Sequence, residues 1–205
     1  MHPKVLSKNA WDLVRRLAKS GILKGWMLAG GTGLALQLGH RYSEDLDLFR
    51  PEPFDTEKKL HELSGIGKVE VKQRASGTLH TVLQGVRLSF LEAQADFLFP
   101  GSPYRGMTVA DPMDIAVMKL IAVGGRGSRK DFVDLYFLFR QGVALESMFR
   151  CLRRRFQGID YNEYHLMKSL VYFEDAESEP MPEMIRDVTW EEVQDAIIQE
   201  VRRLT

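Results

Sequence analysis

The sequence predicts an α+β protein, with a mixed N-terminal half followed by a helical C-terminal half. Three observations lead to this prediction. Apolar residues alternate with period two in several short stretches before residue 92, glycines separate these stretches, and helical spacing dominates after Pro103. We expect residues 1–105 to form an α/β core and residues 106–205 to form a helical lobe packed on it, in one compact unit.

The N-terminal elements begin with an amphipathic helix over residues 7–20, with Ser7 as its N-cap and Gly21 as its end. The short apolar run at 26–29 ends at Gly30 and Gly31, after which apolar residues return at helical spacing. This pattern predicts a strand, a tight glycine turn and a helix. Residues 45–49 form the next strand, whose alternation directs Asp45 and Asp47 to one face and two leucines to the other.

The remaining elements follow from turn and capping signals. A helix is expected over 55–63, and strands are expected over 68–72, 79–83 and 86–91. Asp111 and Pro112 begin a helix that runs to about residue 123. The glycine-rich segment 124–128 breaks it, and helices follow over 130–140 and 145–156. Residues 174–182 read as an acidic loop, and Thr189 with Glu192 forms a capping box for the last helix.

The composition argues for a cytoplasmic protein with a hydrophobic core. The chain is 44% hydrophobic and 27% charged, with 28 basic and 28 acidic residues, so a polyanionic partner must be bound by a local patch. The single cysteine, Cys151, fits a reducing compartment. No apolar segment approaches the ~20 residues that cross a bilayer, and the N-terminal residues lack the apolar core of a signal peptide.

The acidic pair Asp45 and Asp47 forms the strongest candidate site together with the turn at Gly30, Gly31 and Thr32. Two carboxylates on one strand face repel each other, and a magnesium or manganese ion relieves that repulsion. A strand-to-helix turn without side chains exposes backbone amides to phosphates. Alternating Asp-Leu-Asp-Leu is also typical of a half-exposed strand, but the combination with the glycine turn in one unit favours a nucleotide site.

A second group of candidates lies in the helical half. Lys119 stands among apolar residues, where a lysine often extends its charge to solvent, so a surface role is the alternative to a site role. Asp131 and Asp134 share a face of the next helix and lie in its first turn, where helix capping alone favours acidic residues. Arg126, in the glycine-rich segment, is expected to face the substrate.

The chain resembles a known family in the run from Gly30 to Phe49, which includes Arg41 and Ser43, and again at Lys119, Arg126 and residues 130–135. It is similar to the nucleotidyltransferase-like toxins of the AbiEii/AbiGii abortive-infection type. That family belongs to the polymerase-β-like nucleotidyltransferase superfamily, so the resemblance implies such a core, with a mixed sheet and flanking helices.

The resemblance also implies the chemistry. It implies an enzyme that uses Mg²⁺ or Mn²⁺ and a nucleoside triphosphate, with Asp45 and Asp47 as metal ligands and with Lys119 and Asp131 as catalytic residues. The nucleotide would bind at the glycine turn with Thr32, Arg41, Ser43 and Arg126. The acceptor would be a hydroxyl group of RNA, such as the end of a transfer RNA, and the protein would act as a toxin with a cognate antitoxin.

One departure leaves alternatives open. Members of the superfamily commonly place a third carboxylate on a later strand, and residues 86–91 contain none; Glu92 and Asp96 are the nearest acids. The general base is therefore unassigned, with Asp131 as one candidate. A catalytically weakened nucleotide- or partner-binding module is the alternative function, and a housekeeping protein without a toxin role is another.

Overall fold

A computed structural model describes residues 1–159 and 161–204 and confirms the α+β class. Seven strands form one mixed sheet in the order β3-β4-β5-β2-β1-β7-β6. The strands are β1 Met27–Leu28, β2 Leu46–Arg50, β3 Val69–Ala75, β4 Thr78–Leu83, β5 Val86–Glu92, β6 Ser102–Tyr104 and β7 Met107–Val109. The helices are α1 Lys8–Ser20, α2 Gly30–Leu38, α3 Thr56–Ser64, α4 Pro112–Gly125, α5 Arg129–Arg140, α6 Leu145–Arg155, α7 Glu163–Leu170, α8 Glu174–Glu177 and α9 Trp190–Arg202.

Strand β2 lies at the centre of the sheet. It pairs antiparallel with β1 and parallel with β5, and β5 continues into the hairpin formed with β4 and β3. Leu46 and Leu48 are buried on one face of β2, while Asp47 lies on the other. The sheet therefore presents the acidic strand in its middle, flanked by β5.

The predicted helix signals are confirmed where capping is local. The Ser7 hydroxyl accepts a hydrogen bond from the Ala10 amide, Gly21 ends α1 in the left-handed region with φ 79°, and the Thr189/Glu192 capping box is formed. Two details differ from expectation: α4 continues through the glycines at 124–125, with Arg126 as its C-cap, and the acidic segment 174–182 contains the short helix α8.

The short strands β6 and β7 were not predicted. Three residues are too few to show a period of two, and a tight turn joins them. β7 pairs parallel with β1, so the sheet extends across the boundary expected at residue 105.

Two apolar cores hold the elements together. One lies between the sheet and helices α1 and α3, where Trp26 packs edge-on against Phe54 and Phe90. The other joins α2 to the C-terminal helices, with Phe132 and Leu135 fully buried. Among the described residues, no helix is both long enough and apolar enough to cross a membrane.

Candidate active site

The glycine turn is the first turn of α2, and neighbouring side chains crowd it. A Cβ atom on Gly30 would lie 3.3 Å from an Asp47 carboxylate oxygen, and Gly30 has a positive φ of 61°. A Cβ atom on Gly31 would lie only 2.2 Å from Nη2 of Arg41. Glycine is thus required at both positions, and the unpaired amides that begin the helix lie beside the acidic strand.

Thr32 ties this turn to the acidic strand. Its hydroxyl donates to the backbone carbonyl of Asp45 and lies 2.6 Å from the Ser43 hydroxyl, which can donate to it. Thr32 is 2% exposed, so its side chain serves these internal bonds. The glycine turn and Asp45 are consequently fixed relative to each other.

Asp45 and Asp47 both line the same cavity, as the alternation predicted. Burial raises the pKa of Asp47, a hydrogen bond from Ser89 opposes this shift, and the nearby charge of Asp45 adds to it. Arg87 on β5 forms an ion pair with Asp45, and its side chain is 64% exposed. A cation bound beside Asp47 would therefore favour the charged form of this buried carboxylate.

The donor set fits a magnesium ion in which the protein supplies only part of the shell. The described residues contain no cluster of three or more histidine, cysteine, aspartate or glutamate side chains that could hold a metal. Two carboxylates completed by waters and substrate phosphates are the arrangement that Mg²⁺ commonly accepts. Asp45 and Asp47 would hold the ion, and the exposed Arg87 side chain can turn away from Asp45.

A buried ionic network lies behind the glycine turn. Asp134 accepts two hydrogen bonds from Arg41, at 2.7 and 2.9 Å, and its carboxylate lies 2.5 Å from the Lys119 ammonium. Asp131 accepts from Lys119 at 2.7 Å and from Arg126 at 2.7 and 3.0 Å. Three cations therefore face two carboxylates, which leaves one positive charge in excess.

The network keeps its carboxylates ionised. Burial alone would raise the pKa of Asp134, but Arg41 and Lys119 outweigh it and hold the pKa well below its usual value. For Asp131, burial is likewise outweighed by Lys119 and Arg126, and the pKa is lowered. Both carboxyl groups are fully buried, so they orient the cations and lie outside the cavity lining.

The cavity has a volume of about 540 Å³ and lies between the sheet and helices α2 and α4. Its deep end carries the acidic pair, the glycine turn and Lys119. Exposed lysine and arginine side chains surround its mouth, namely Lys72, Arg87, Arg126 and Lys130. The size and the charge arrangement suit a nucleoside triphosphate with its counterion.

The structure brings most of the sequence-predicted residues together. The cavity is lined by Gly30, Gly31, Thr32, Arg41, Ser43, Asp45, Asp47, Lys119 and Arg126. The alternative that Lys119 extends to solvent is wrong, because the residue is 4% exposed and its ammonium is paired. Asp131 does not line the cavity itself but contacts two residues that do, Lys119 and Arg126.

Sequence reasoning missed His80 and Ser89, which also line the cavity. Ser89 pairs directly with Asp47 across β5 and β2, at the point where a third carboxylate was expected on β5. The acids considered for that place, Glu92 and Asp96, instead border a separate depression. Only the strand register could have revealed Ser89 and His80.

Helix α6 carries a basic cluster of Arg150, Arg153, Arg154 and Arg155, and none of these residues lines the cavity. Arg153 pairs with Glu163 at 2.7 Å, and Arg150 pairs with Glu146 at 3.2 Å. Arg155 is buried beside Asp114. Three of these four arginines therefore pair with acidic residues of the helical half.

Comparison with known proteins identifies the family. A family model described as "Nucleotidyl transferase AbiEii toxin, Type IV TA system" matches residues 11–87 and 68–203, which is nearly the whole chain. The chain belongs to the AbiEii nucleotidyl transferase toxin family. This AbiEii-family chain is therefore a nucleotidyltransferase, and membership of a type IV toxin-antitoxin family implies an antitoxin partner.

Individual relatives agree with this assignment. The chain is 34% identical over 204 residues to an uncharacterised protein of Aquifex aeolicus (strain VF5), with 96% of each chain covered. Its fold is similar to JHP933 from Helicobacter pylori, with a TM-score of 0.57, 19% identity and coverage of 97% and 94% of the two chains. The Megavirus polyadenylate synthase shares the fold at a TM-score of 0.50 and 16% identity, over 65% of this AbiEii-family chain and 32% of the viral one.

Proposed function

We propose that the protein transfers a nucleotide from a nucleoside triphosphate to a hydroxyl group of RNA, with a divalent cation, as the toxin of a toxin-antitoxin pair. One observation carries the proposal. Asp45 and Asp47 share a single cavity with the first turn of α2 and with the ammonium of Lys119. This arrangement would offer one triphosphate a bound cation, the free amides of the helix start and a fixed positive charge.

Each part has a distinct task. Asp45 and Asp47 would hold Mg²⁺ or Mn²⁺, which supplies charge neutralisation at the reacting phosphate when bound. The amides at Gly31 and Thr32 suit the phosphate oxygens, because the start of a helix carries positive partial charge. Positioning and electrostatics of this kind account for most of the rate in phosphoryl transfer.

The buried network supplies the remaining positive charge. Lys119 is held by Asp131 and Asp134, so its ammonium is fixed before the substrate binds. Arg41 is held by Asp134 directly beneath Gly31, and Arg126 reaches the mouth of the cavity. Charges fixed in advance stabilise a developing negative charge without reorganisation of the site.

The cavity mouth supports RNA as the acceptor. Lys72 and Lys130 are exposed there and form no ion pair with the cavity's carboxylates among the described residues. Lysine side chains at such a rim can neutralise phosphates of a polynucleotide backbone, even in a chain of balanced overall charge. The acceptor's terminal hydroxyl would then enter the cavity.

The test is transfer of label from each of the four triphosphates, labelled at the α-phosphate, to total RNA in the presence of Mg²⁺. Asp47→Asn and Asp45→Asn should lower the rate by about 100-fold or more, because the cation loses a ligand. Asp195→Asn, at an exposed position of α9, is the matched control and should retain full activity. Undiminished transfer by the Asp45→Asn/Asp47→Asn double variant would refute the proposal.

Calorimetry distinguishes the enzyme from the binding-module alternative. Triphosphate binding by the wild type with no transfer across an RNA panel would favour a module that only binds nucleotide. For the toxin role, expression of the wild type should arrest growth, and coexpression of the adjacent gene's product should relieve the arrest. Growth unaffected by an active enzyme would contradict that role.

A further inference from the structure

His80 on β4 occupies the cavity beside the acidic pair, and the proposed function leaves it without a task. The strand register aligns three side chains in a row: Asp47 on β2 is opposite Ser89 on β5, and Ser89 is opposite His80 on β4. Residues directly opposite each other point to the same face of a sheet. All three line the same cavity.

Hydrogen bonds along this row determine where the imidazole carries its proton. Ser89 stands in direct register with Asp47, whose carboxylate can only accept a hydrogen bond, so the serine hydroxyl is suited to donate its single proton there. The Ser89 oxygen lies 2.9 Å from Nδ1 of His80, and with its proton on the Asp47 side it accepts a hydrogen bond from Nδ1. In the neutral ring, Nε2 is then left with a lone pair.

That lone pair is available to a substrate. Nε2 of His80 forms no hydrogen bond to any residue that the structure describes, and the ring is only partly buried. Among the described residues that line the cavity, only Asp45 and Asp47 have carboxylates, and the cation would engage both. Asp131 is fully buried and accepts from Lys119 and Arg126.

We infer that His80 is the general base that receives the proton of the acceptor hydroxyl, an inference that rests on the proposed function. As the hydroxyl oxygen forms its bond to the α-phosphorus, its proton moves to Nε2 of His80. The bond from the α-phosphorus to the bridging oxygen breaks, and pyrophosphate leaves with the electron pair. The imidazolium then releases its proton to water at the open mouth of the cavity.

Ser89 and Asp47 act here as positioning residues for the imidazole. The row Asp47, Ser89, His80 takes the place of a third carboxylate on β5, since serine stands in direct register with Asp47. A carboxylate at 89 would add a third negative charge beside Asp47, whose pKa is already raised by burial and further by the charge of Asp45. The imidazole supplies the proton acceptor without that charge.

The experiment compares His80→Asn with the wild type under single-turnover conditions at saturating triphosphate, Mg²⁺ and RNA. Asparagine can still donate to Ser89 from the Nδ1 position but has no atom at Nε2. We expect the transfer rate to fall about 100-fold, while triphosphate affinity measured by calorimetry stays within about twofold. His61→Asn, on the exposed side of α3, is the matched control and should leave both quantities unchanged.

Chemical rescue tests the role independently. His80→Ala leaves space beside Ser89, and added imidazole should restore its rate in a concentration-dependent manner while leaving Asp47→Asn inactive. Thermal unfolding followed by circular dichroism shows which variants are folded. If His80→Asn has a much lower Tm than the wild type, the rescue of a folded His80→Ala variant tests the role of His80 instead.

The outcomes separate the two proposals. A His80→Asn rate within about threefold of wild type, or a rate loss matched by an equal loss of triphosphate affinity, overturns the role of His80 alone. A folded His80→Ala variant that imidazole does not rescue does the same. Absence of transfer by the wild type overturns the proposed function, and the inference falls with it.

Discussion

Replacement of Gly31 by alanine tests the coupling between the glycine turn and the buried ionic network. The new methyl group would lie 2.2 Å from Nη2 of Arg41 and 3.5 Å from an Asp134 carboxylate oxygen. The guanidinium must therefore retreat until the separation reaches at least 3.4 Å. Arg41 is 5% exposed and Asp134 is fully buried, so the guanidinium can retreat only by loosening its bonds to Asp134.

The magnitude follows from the bonds at risk. Arg41 donates to both oxygens of Asp134, at 2.7 and 2.9 Å, and displacement loosens both bonds. One charge-assisted hydrogen bond contributes about 1.5–3 kcal/mol, and breaking a buried ion pair costs about 3–5 kcal/mol. Since the side chain can relax in part, we expect Gly31→Ala to lose about 2–4 kcal/mol of unfolding free energy.

Urea denaturation followed by circular dichroism measures this loss, which corresponds to a fall in Tm of about 4–16 °C for a chain of this length. Gly125→Ala is the matched control, because Gly125 also lies in a helix but a Cβ atom added to it would have no neighbour within 4 Å. It should be neutral or up to about 1 kcal/mol more stable, as expected for alanine in a helix. A Gly31→Ala protein as stable as wild type would refute the close coupling of Arg41 to the turn.

Three further predictions concern charges in the site. Asp47→Asn should abolish nucleotide transfer but leave the free energy of unfolding at neutral pH equal to or higher than that of the wild type. The reason is that burial raises the pKa of Asp47, so its charged form costs stability. A strongly destabilised variant in urea titrations would contradict this. Lys119→Met should cost about 3 kcal/mol by leaving buried carboxylates underpaired, and Asp131→Asn in the same chain should recover part of that loss in a double-mutant cycle. Burial lowers the pKa of His40 despite its hydrogen bond to Asp134, so the folded protein binds fewer protons than the unfolded one and stability should fall as pH drops below about 6.5. His40→Gln keeps the donor to Asp134 and should flatten that decline in urea titrations at a series of pH values; an equal slope in both proteins would rule out His40 as its source.

Local sequence determined much of the fold. The caps at Ser7 and Thr189, the glycine turn at 30–31 and the alternation around Asp47 each depend on contacts within a few residues, so they could be predicted and were found. The same locality explains why both aspartates and the turn were predicted to share one site. The strands β6 and β7 escaped prediction because three residues are too few to show a period, and because β7 pairs with β1, about 80 residues away in sequence.

Only the tertiary structure decided how distant residues complete the site. The sequence pattern alone is compatible with an exposed Lys119. In the structure, α5 packs against α4, and its Asp131 and Asp134 pair with the buried Lys119 ammonium. Ser89 and His80 carry no motif, and they reach Asp47 because β5 pairs with β2 and β4 in one particular register. A shift of one residue would turn those side chains to the opposite face. The sequence by itself determined the acidic pair and its glycine turn, since both are set by local backbone geometry. Strand pairing and helix packing determined which cationic side chains and which imidazole lie around them.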